Sequence, residues 1–278
     1  MHFYNFHTHS AYDDGKKPPE EYVLEAIRLG IKSLGFSGHS PLPFQNEWCI
    51  KEDELKKYLN EIHFLKNKYK NEIEIYSGLE VDYIEDVSSP IETLKKHKLD
   101  FVIGSIHFIK NKGQIFEIDG KFENFEKGFV TYFDSEAKPL VESYTACSLE
   151  MIKNHNPDIL GHFDKIKLYL SRLVTDIENE NWFNKYMQEI AIVAKEKEII
   201  VEVNTRGMYK GYTSEPYPSY NLLKFMKENN NRICLNADAH SPTELLGEFK
   251  ITILKLKAIG FKYLWVIKNG KWQAEKID

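Results

Sequence analysis

After a short aromatic run the chain reads HTHSAYDDG, which sets two imidazoles, His7 and His9, two residues apart with Asp13 and Asp14 close behind. Extended backbone repeats its side-chain direction every second residue, so His7 and His9 project to one side. Two imidazoles on one face can share a cation, although the segment alone reads equally well as a polar turn after an edge strand. Similar groupings recur along the chain. GFSGHS carries His39, SGLEVDY carries Glu80 and Asp82, and VIGSIHF carries His107. ILGHFDKI carries His162 and Asp164, VEVNTRG carries Glu202, Asn204 and Arg206, and NADAHSP carries Asp238 and His240. Imidazole and carboxylate donors without thiolates suit zinc, manganese or iron, and a carboxylate can bridge two ions.

Each piece also has an ordinary reading. His107 could be a packed core histidine, His162 a turn residue after glycine, and Asp238 a helix cap before Ser-Pro. The set carries the argument. Of ten histidines, six stand at the ends of apolar runs beside Gly, Ser or Asp; the other four, His2, His63, His97 and His155, lie at the terminus or in charged helical contexts.

The segments that must position these groups alternate between strand and helix patterns. Strand-like runs cover Phe3 to Phe6, Ile73 to Tyr83 and Phe101 to Phe108, with further short apolar runs before His39, His162, Asn204 and Asp238. Helical patterns cover Pro18 to Gly30, Glu52 to Tyr69, Pro90 to His97, Phe129 to Asn154, Asn181 to Lys197, Asn221 to Asn229 and Thr243 to Ile259. Asn111 to Phe125, rich in Gly, Asn, Lys and Asp, reads as an excursion from the main fold, and Asn269-Gly270 between two β-rich runs predicts a hairpin. Such alternation implies an α/β fold with a parallel sheet covered by helices, open or closed. Functional groups then gather at the carboxyl ends of the strands.

The bulk properties narrow the function. The chain has 278 residues, 42% of them apolar and 28% charged, with a formal net charge of −5. There is neither an overall basic surface nor a basic aromatic groove, so no nucleic-acid partner is expected. The three cysteines form no CxxC pair and no closed disulfide framework, which predicts a reducing, cytoplasmic setting. No stretch approaches the roughly 18 apolar residues of a membrane helix, and the start does not read as a leader. Without a repeat or linker, 1–278 is expected to form a single domain. Nothing in the sequence points to an oligomeric state.

The ordered motifs HTHSAYDDG, GFSGHSPLP, SGLEVDY, VIGSIHF, ILGHFDKIK, VEVNTRG and NADAHSP resemble those of the polymerase and histidinol phosphatase (PHP) superfamily, from His7 to Pro242. The wording is most similar to the PHP-type histidinol phosphatases. The resemblance implies a distorted (β/α)7 TIM-like barrel with two to three divalent ions at its mouth. It implies that His7 and His9 bind the first ion with Glu80 and Asp238. Glu80 would bridge to a second ion held by His107 and His162. A third would take His39, His240 and a first-loop residue that is histidine in many members; here Asp14 is the candidate and Asp13 the alternative.

The implied activity is hydrolysis of a small phosphate monoester by hydroxide generated at the ions, with L-histidinol phosphate as the expected substrate. Glu80, His107, Asp238 and His240 would form the catalytic group. Arg206 is a candidate phosphate clamp, because guanidinium matches phosphate geometry, and Lys210 is a second. Tyr209 and Tyr217 are candidates for lining an aromatic pocket. Asp82 and Asp164 read either as partners that orient histidines or as loop acids. Glu202 and Asn204 face the expected mouth without a ligand role. The alternatives are a phosphoesterase for another small phosphate, a nucleotide or a phosphotyrosyl protein, and a metal-binding module without catalysis.

Overall fold

The computed structural model describes residues 2–111 and 113–277; Met1, Lys112 and Asp278, part of the expected 1–278 unit, lie outside them. The chain alternates β1 (Phe3–Asn5), α1 (Pro19–Leu29), β2 (Ile31–Phe36), α2 (Leu55–Lys68), β3 (Glu74–Asp82), α3 (Pro90–His97) and β4 (Phe101–Ser105). An antiparallel pair follows, β5 (Phe108–Asn111) and β6 (Gln114–Glu117), then α4 (Phe122–Phe133) and α5 (Ala137–Glu150). The order continues with β7 (Ile159–Leu160), α6 (Lys167–Leu173), α7 (Asn181–Glu196), β8 (Ile200–Asn204), α8 (Arg206–Tyr209), α9 (Tyr220–Glu228), β9 (Ile233–Asn236) and α10 (Phe249–Ile259). It ends with β10 (Tyr263–Lys268) and β11 (Lys271–Lys276).

Seven strands form one parallel sheet in the order β1-β2-β3-β4-β7-β8-β9. The sheet curls until its edges meet. Thr8 bridges Ala239 in parallel register, the His9 N–H donates to the Ala239 carbonyl at 2.9 Å, and the Ala239 N–H donates to the His7 carbonyl at 3.1 Å. Lower on the same seam the Phe6 N–H reaches Asn236 Oδ1 at 2.8 Å. This is the distorted (β/α)7 TIM-like barrel expected from the motifs.

Local chemistry explains the elements. In α1, proline occupies the first turn with Glu20 and Glu21, and Gly30 ends the helix at φ 73° with its N–H on the Ala26 and Ile27 carbonyls. Tyr22, Val23 and Ala26 form its buried face. Inside the barrel a second apolar cluster, including Tyr76, Phe101, Ile103, Ile159, Ile200 and Cys234, fills the end where the strands begin. The β10–β11 hairpin closes that end. Its Val266 and Ile267 join the cluster, Trp272 meets Phe6 at 5.5 Å, and the Gly270 N–H donates to the Tyr76 hydroxyl at 3.0 Å. Asn269 and Gly270 take φ values of 53° and 70°, as the predicted Asn-Gly turn requires.

Three expectations need correction. The helix predicted from Phe129 to Asn154 is two helices, because Asp134 and Ser135 both take positive φ and turn the chain between α4 and α5. The strand predicted through Phe108 stops at Ser105, and the chain re-enters extended structure in a separate hairpin, leaving His107 at the break. The helix predicted from Thr243 begins only at Phe249, after a short turn at Pro242–Glu244 and a left-handed Glu248 at φ 57°.

Gly78 faces the barrel interior, where a Cβ would lie 2.5 Å from the Phe101 ring. Gly78→Ala should therefore lower unfolding stability by about 1–3 kcal/mol through overpacking. Urea denaturation measures this; a loss under about 0.5 kcal/mol would mean that the ring relaxes freely.

Candidate metal centre

The alternation of β3 builds the centre of the site. Tyr76, Gly78, Glu80 and Asp82 share one parity, so the strand that fills the lower barrel with a ring delivers carboxylates at its upper end. Glu80 is 1% exposed. Its Oε1 accepts from Ser105 Oγ at 2.6 Å and lies 3.0 Å from His162 Nε2 and 3.6 Å from His107 Nε2. Its Oε2 lies 3.0 Å from His7 Nε2, 3.2 Å from His39 Nδ1 and 3.6 Å from His9 Nε2. One carboxylate thus stands between two groups of imidazoles, five rings drawn from four segments.

A second tier of carboxylates orients the rings. His7 Nδ1 meets Glu202 Oε1 at 2.6 Å, His9 Nδ1 meets Asp13 Oδ2 at 2.6 Å, and His107 Nδ1 meets Asp82 Oδ1 at 2.7 Å. In each case the outer nitrogen is held by an acid and Nε2 faces inward. Glu202 also accepts from the His162 N–H at 3.1 Å and from the Asn204 and Asn236 amides at 3.0 and 2.9 Å. Asp164 orients no ring. It pairs with Lys167 at 2.9 Å and accepts from the Ser219 N–H at 3.0 Å, which ties two loops together.

The two first-loop aspartates separate clearly. Asp13 turns inward behind His9 and accepts from the Ser10 and His39 N–H groups at 2.8 and 3.1 Å. Asp14 reaches His240 Nε2 at 3.0 Å and groups with His9, His39 and His240. Asp238 stands near His9 Nε2 at 3.3 Å and takes a left-handed φ of 55°. Such a conformation outside glycine marks a position that its surroundings hold in place.

Burial alone would raise the acids and lower the imidazoles. For Glu80 that tendency is overcome by His7, His39 and His107, which hold it well below the usual carboxylate range. Asp238 is held down likewise by His7, Arg206 and His9. Against burial, Asp13 pushes His9 up to about 10, and Asp82 and Asp119 push His107 up to about 9. His39 behaves differently: burial lowers it to about 4. Concentrated negative charge therefore calls for cations at the centre.

The donor set fits divalent metal ions. His9 Nε2 and His39 Nδ1 are buried without a hydrogen-bond partner among the described residues. His107 Nε2 and His162 Nε2 face each other at 3.3 Å, where two lone pairs repel unless a proton or cation lies between them. Ligand atoms of His7, His9 and Glu80, of Glu80, His107 and His162, and of His9, Asp14, His39 and His240 form three groups, each within 4.8 Å. Nearly every residue that the motifs singled out as a ligand is brought into these groups or beside them.

The cluster floors a cavity of about 380 Å3. Arg206 lines it, donating to the Asp238 carbonyl at 2.9 Å and lying 2.7 Å from His240 Nδ1. Lys210, the second phosphate-binding candidate, stands apart from the cavity lining. Its ammonium is paired with Glu244, whose other oxygen accepts from the His240 N–H at 2.8 Å. Tyr217 lines the cavity, whereas Tyr209 donates to the Ala237 and Asp238 carbonyls at 3.0 and 2.9 Å from behind.

Sequence reasoning passed over several wall residues. Asp119 and Glu117 come from the Asn111 to Phe125 excursion, and Lys165 from the loop after β7. Trp48 stacks on Phe108 at 5.7 Å and meets His39 edge-on at 4.6 Å. The alternation of Glu202 with Asn204 was the available signal for Glu202; the excursion and the Trp48 loop offered none.

Glu202→Gln puts an N–H2 group among donors that it cannot accept from. Metal affinity should fall about 10–100-fold, as for other partners of metal-binding histidines. Chelator competition reads this, and unchanged affinity would reduce Glu202 to a space-filling role.

Comparison with known proteins agrees with this fold. The chain is 28% identical to a histidinol-phosphatase of Lactococcus lactis, across 98% of this chain and 96% of that one. It is 23% identical to a histidinol-phosphatase of Bacillus subtilis, across 79% and 86%. A solved structure from Listeria monocytogenes superposes with a TM-score of 0.80 at 19% identity, covering 89% of this chain and 99% of that one. Histidinol phosphate phosphatase of Lactococcus lactis, solved with zinc, L-histidinol and phosphate, superposes with a TM-score of 0.73 at 22% identity, with 98% of each covered. Residues 5–206 match the PHP domain, and the chain belongs to the PHP domain family.

Proposed function

We propose that this chain is a metal-dependent phosphomonoesterase that hydrolyses L-histidinol phosphate to L-histidinol and phosphate. The observation that carries this reading is the buried Glu80 carboxylate, faced by imidazoles on both oxygens, on the floor of a cavity walled by Arg206. The activity of the Lactococcus and Bacillus relatives, and the zinc, L-histidinol and phosphate in the Lactococcus structure, support the choice of substrate. A cavity of about 380 Å3 suits a small ester held whole. We take 1–278 as one catalytic unit acting in the cytoplasm; no helix among the described residues is long and apolar enough to cross a membrane.

His7, His9, Glu80 and Asp238 would hold one ion, Glu80, His107 and His162 a second, and Asp14, His39 and His240 a third. Zinc, manganese and iron all match this donor set. When bound, such ions neutralise phosphate charge and make hydroxide available near neutral pH. The residues of the chain supply the rest. Glu80 fixes the spacing of the two imidazole groups, and the outer carboxylates lock the rings of His7, His9 and His107. Arg206, anchored on the Asp238 carbonyl, orients phosphate oxygens by bidentate donation. Trp48 and Tyr217 supply aromatic wall to the cavity.

The test couples metal analysis to a panel of L-histidinol phosphate, a nucleoside monophosphate and a phosphotyrosyl peptide. L-histidinol phosphate should show the highest kcat/KM; if it is not among the best substrates, the reading fails. Glu80→Gln should reduce kcat/KM by about 10³-fold or more, and activity should vanish on chelation and return with zinc or manganese. Asp14→Asn should reduce metal content by up to about one ion per chain. Unchanged stoichiometry would remove Asp14 from the ligand set.

A further inference from the structure

Two polar groups on the cavity wall have hydrogen-bonding capacity that the fold does not use. Lys165 has a side chain only 13% exposed, and its ion-pair partner among the described residues is Asp119 at 2.6 Å. An ammonium has three N–H donors, so that pair leaves others unspent. Tyr217 is 2% exposed, lines the same cavity, and its buried hydroxyl has no hydrogen-bond partner among the described residues. Buried donors without partners carry an uncompensated desolvation penalty, which a ligand can relieve.

Both groups are fixed to the strands that carry the cluster. The Lys165 N–H donates to the His162 carbonyl at 2.9 Å. Asp119, which holds the ammonium, lies 3.8 Å from His107 Nε2, so the charge sits beside the His107 and His162 imidazoles. Tyr217 exchanges backbone hydrogen bonds with Asn204 at the end of β8, at 2.7 and 2.9 Å. Burial opposes the Lys165 charge, but Asp119, Asp238 and Glu80 keep it on. An anion approaching a floor of carboxylates is repelled by them, and the cations of the wall offset that repulsion.

We propose that Lys165 and Tyr217 bind phosphoryl oxygens, the role that the sequence suggested for Lys210. The inference rests on the phosphomonoesterase reading for its substrate. Lys165 contributes a charge-assisted hydrogen bond from the loop after β7, and Tyr217 a neutral one from the same β8–α9 connection that carries Arg206. No proton moves in this contact.

The experiment titrates inorganic phosphate into the metal-loaded full-length protein by calorimetry, alongside product inhibition by phosphate. Lys165→Met should weaken phosphate binding by about tenfold or more, and Tyr217→Phe by about threefold, with metal content unchanged. Lys165→Arg should retain most of the affinity. Phosphate affinity within about twofold of wild type in Lys165→Met would overturn the proposal. So would recovery of affinity in Lys165→Met/Asp119→Asn, which would trace the loss to an unmasked Asp119 carboxylate. Phosphate binding through Lys165 without hydrolysis of any phosphomonoester would sink the functional reading and leave this inference standing. Hydrolysis with phosphate affinity indifferent to Lys165→Met would do the reverse.

Discussion

Buried negative charge is the constraint on which the rest of this structure depends. Glu80, Asp238, Glu202 and Asp82 lie at the barrel mouth with almost no solvent contact. Carboxylates in such a place are tolerated only when hydrogen-bonded and paired. The fold answers by setting imidazoles between acids: inner carboxylates face Nε2 atoms and outer carboxylates hold Nδ1 atoms. The rings of His7, His9 and His107 have their orientation fixed from behind and their chemistry directed forward. The arrangement needs many strands to end at one place, which is what a closed parallel barrel provides.

The same strands divide their length between packing and chemistry. Their first residues point rings into the lower barrel, where Phe101 fills the space left by Gly35 and Gly78 and the terminal hairpin closes the base. Their last residues point donors into the mouth. A rigid apolar plug below lets the polar layer above stay polar, because the cluster does not also have to supply packing.

Much of this was legible in the sequence, for a physical reason. A strand that ends in a ligand leaves a short apolar run followed by Gly, Ser or Asp and a histidine, and that signature is local. His7, His9, His39, Glu80, His107, His162, Asp238 and His240 were readable on that basis. The wall of the cavity was not, because its residues come from segments whose local pattern carries no periodicity. Asp119 follows a hairpin that looked like a polar excursion, and Trp48 stands in an irregular loop. Lys165 looked like one more charged residue, and Lys210 looked equally plausible until Glu244 was found beside it. The split at Asp134 and Ser135 was hidden for a related reason: two short polar residues interrupt no periodic pattern, yet both take a left-handed conformation that turns the chain.

The seam between β1 and β9 gives the barrel a hoop-like mechanics. Elsewhere neighbouring strands share ladders of two to five residue pairs, but here closure rests on the Thr8–Ala239 bridge and on side-chain bonds from Asn5 and Asn236. Directly above that weak join stand His7 and His9 on one side and Asp238 and His240 on the other. Anything that binds to both sides fastens the two ends of the chain to each other and stabilises the closed ring by mass action. A ligand held there therefore couples occupancy of the site to closure of the ring.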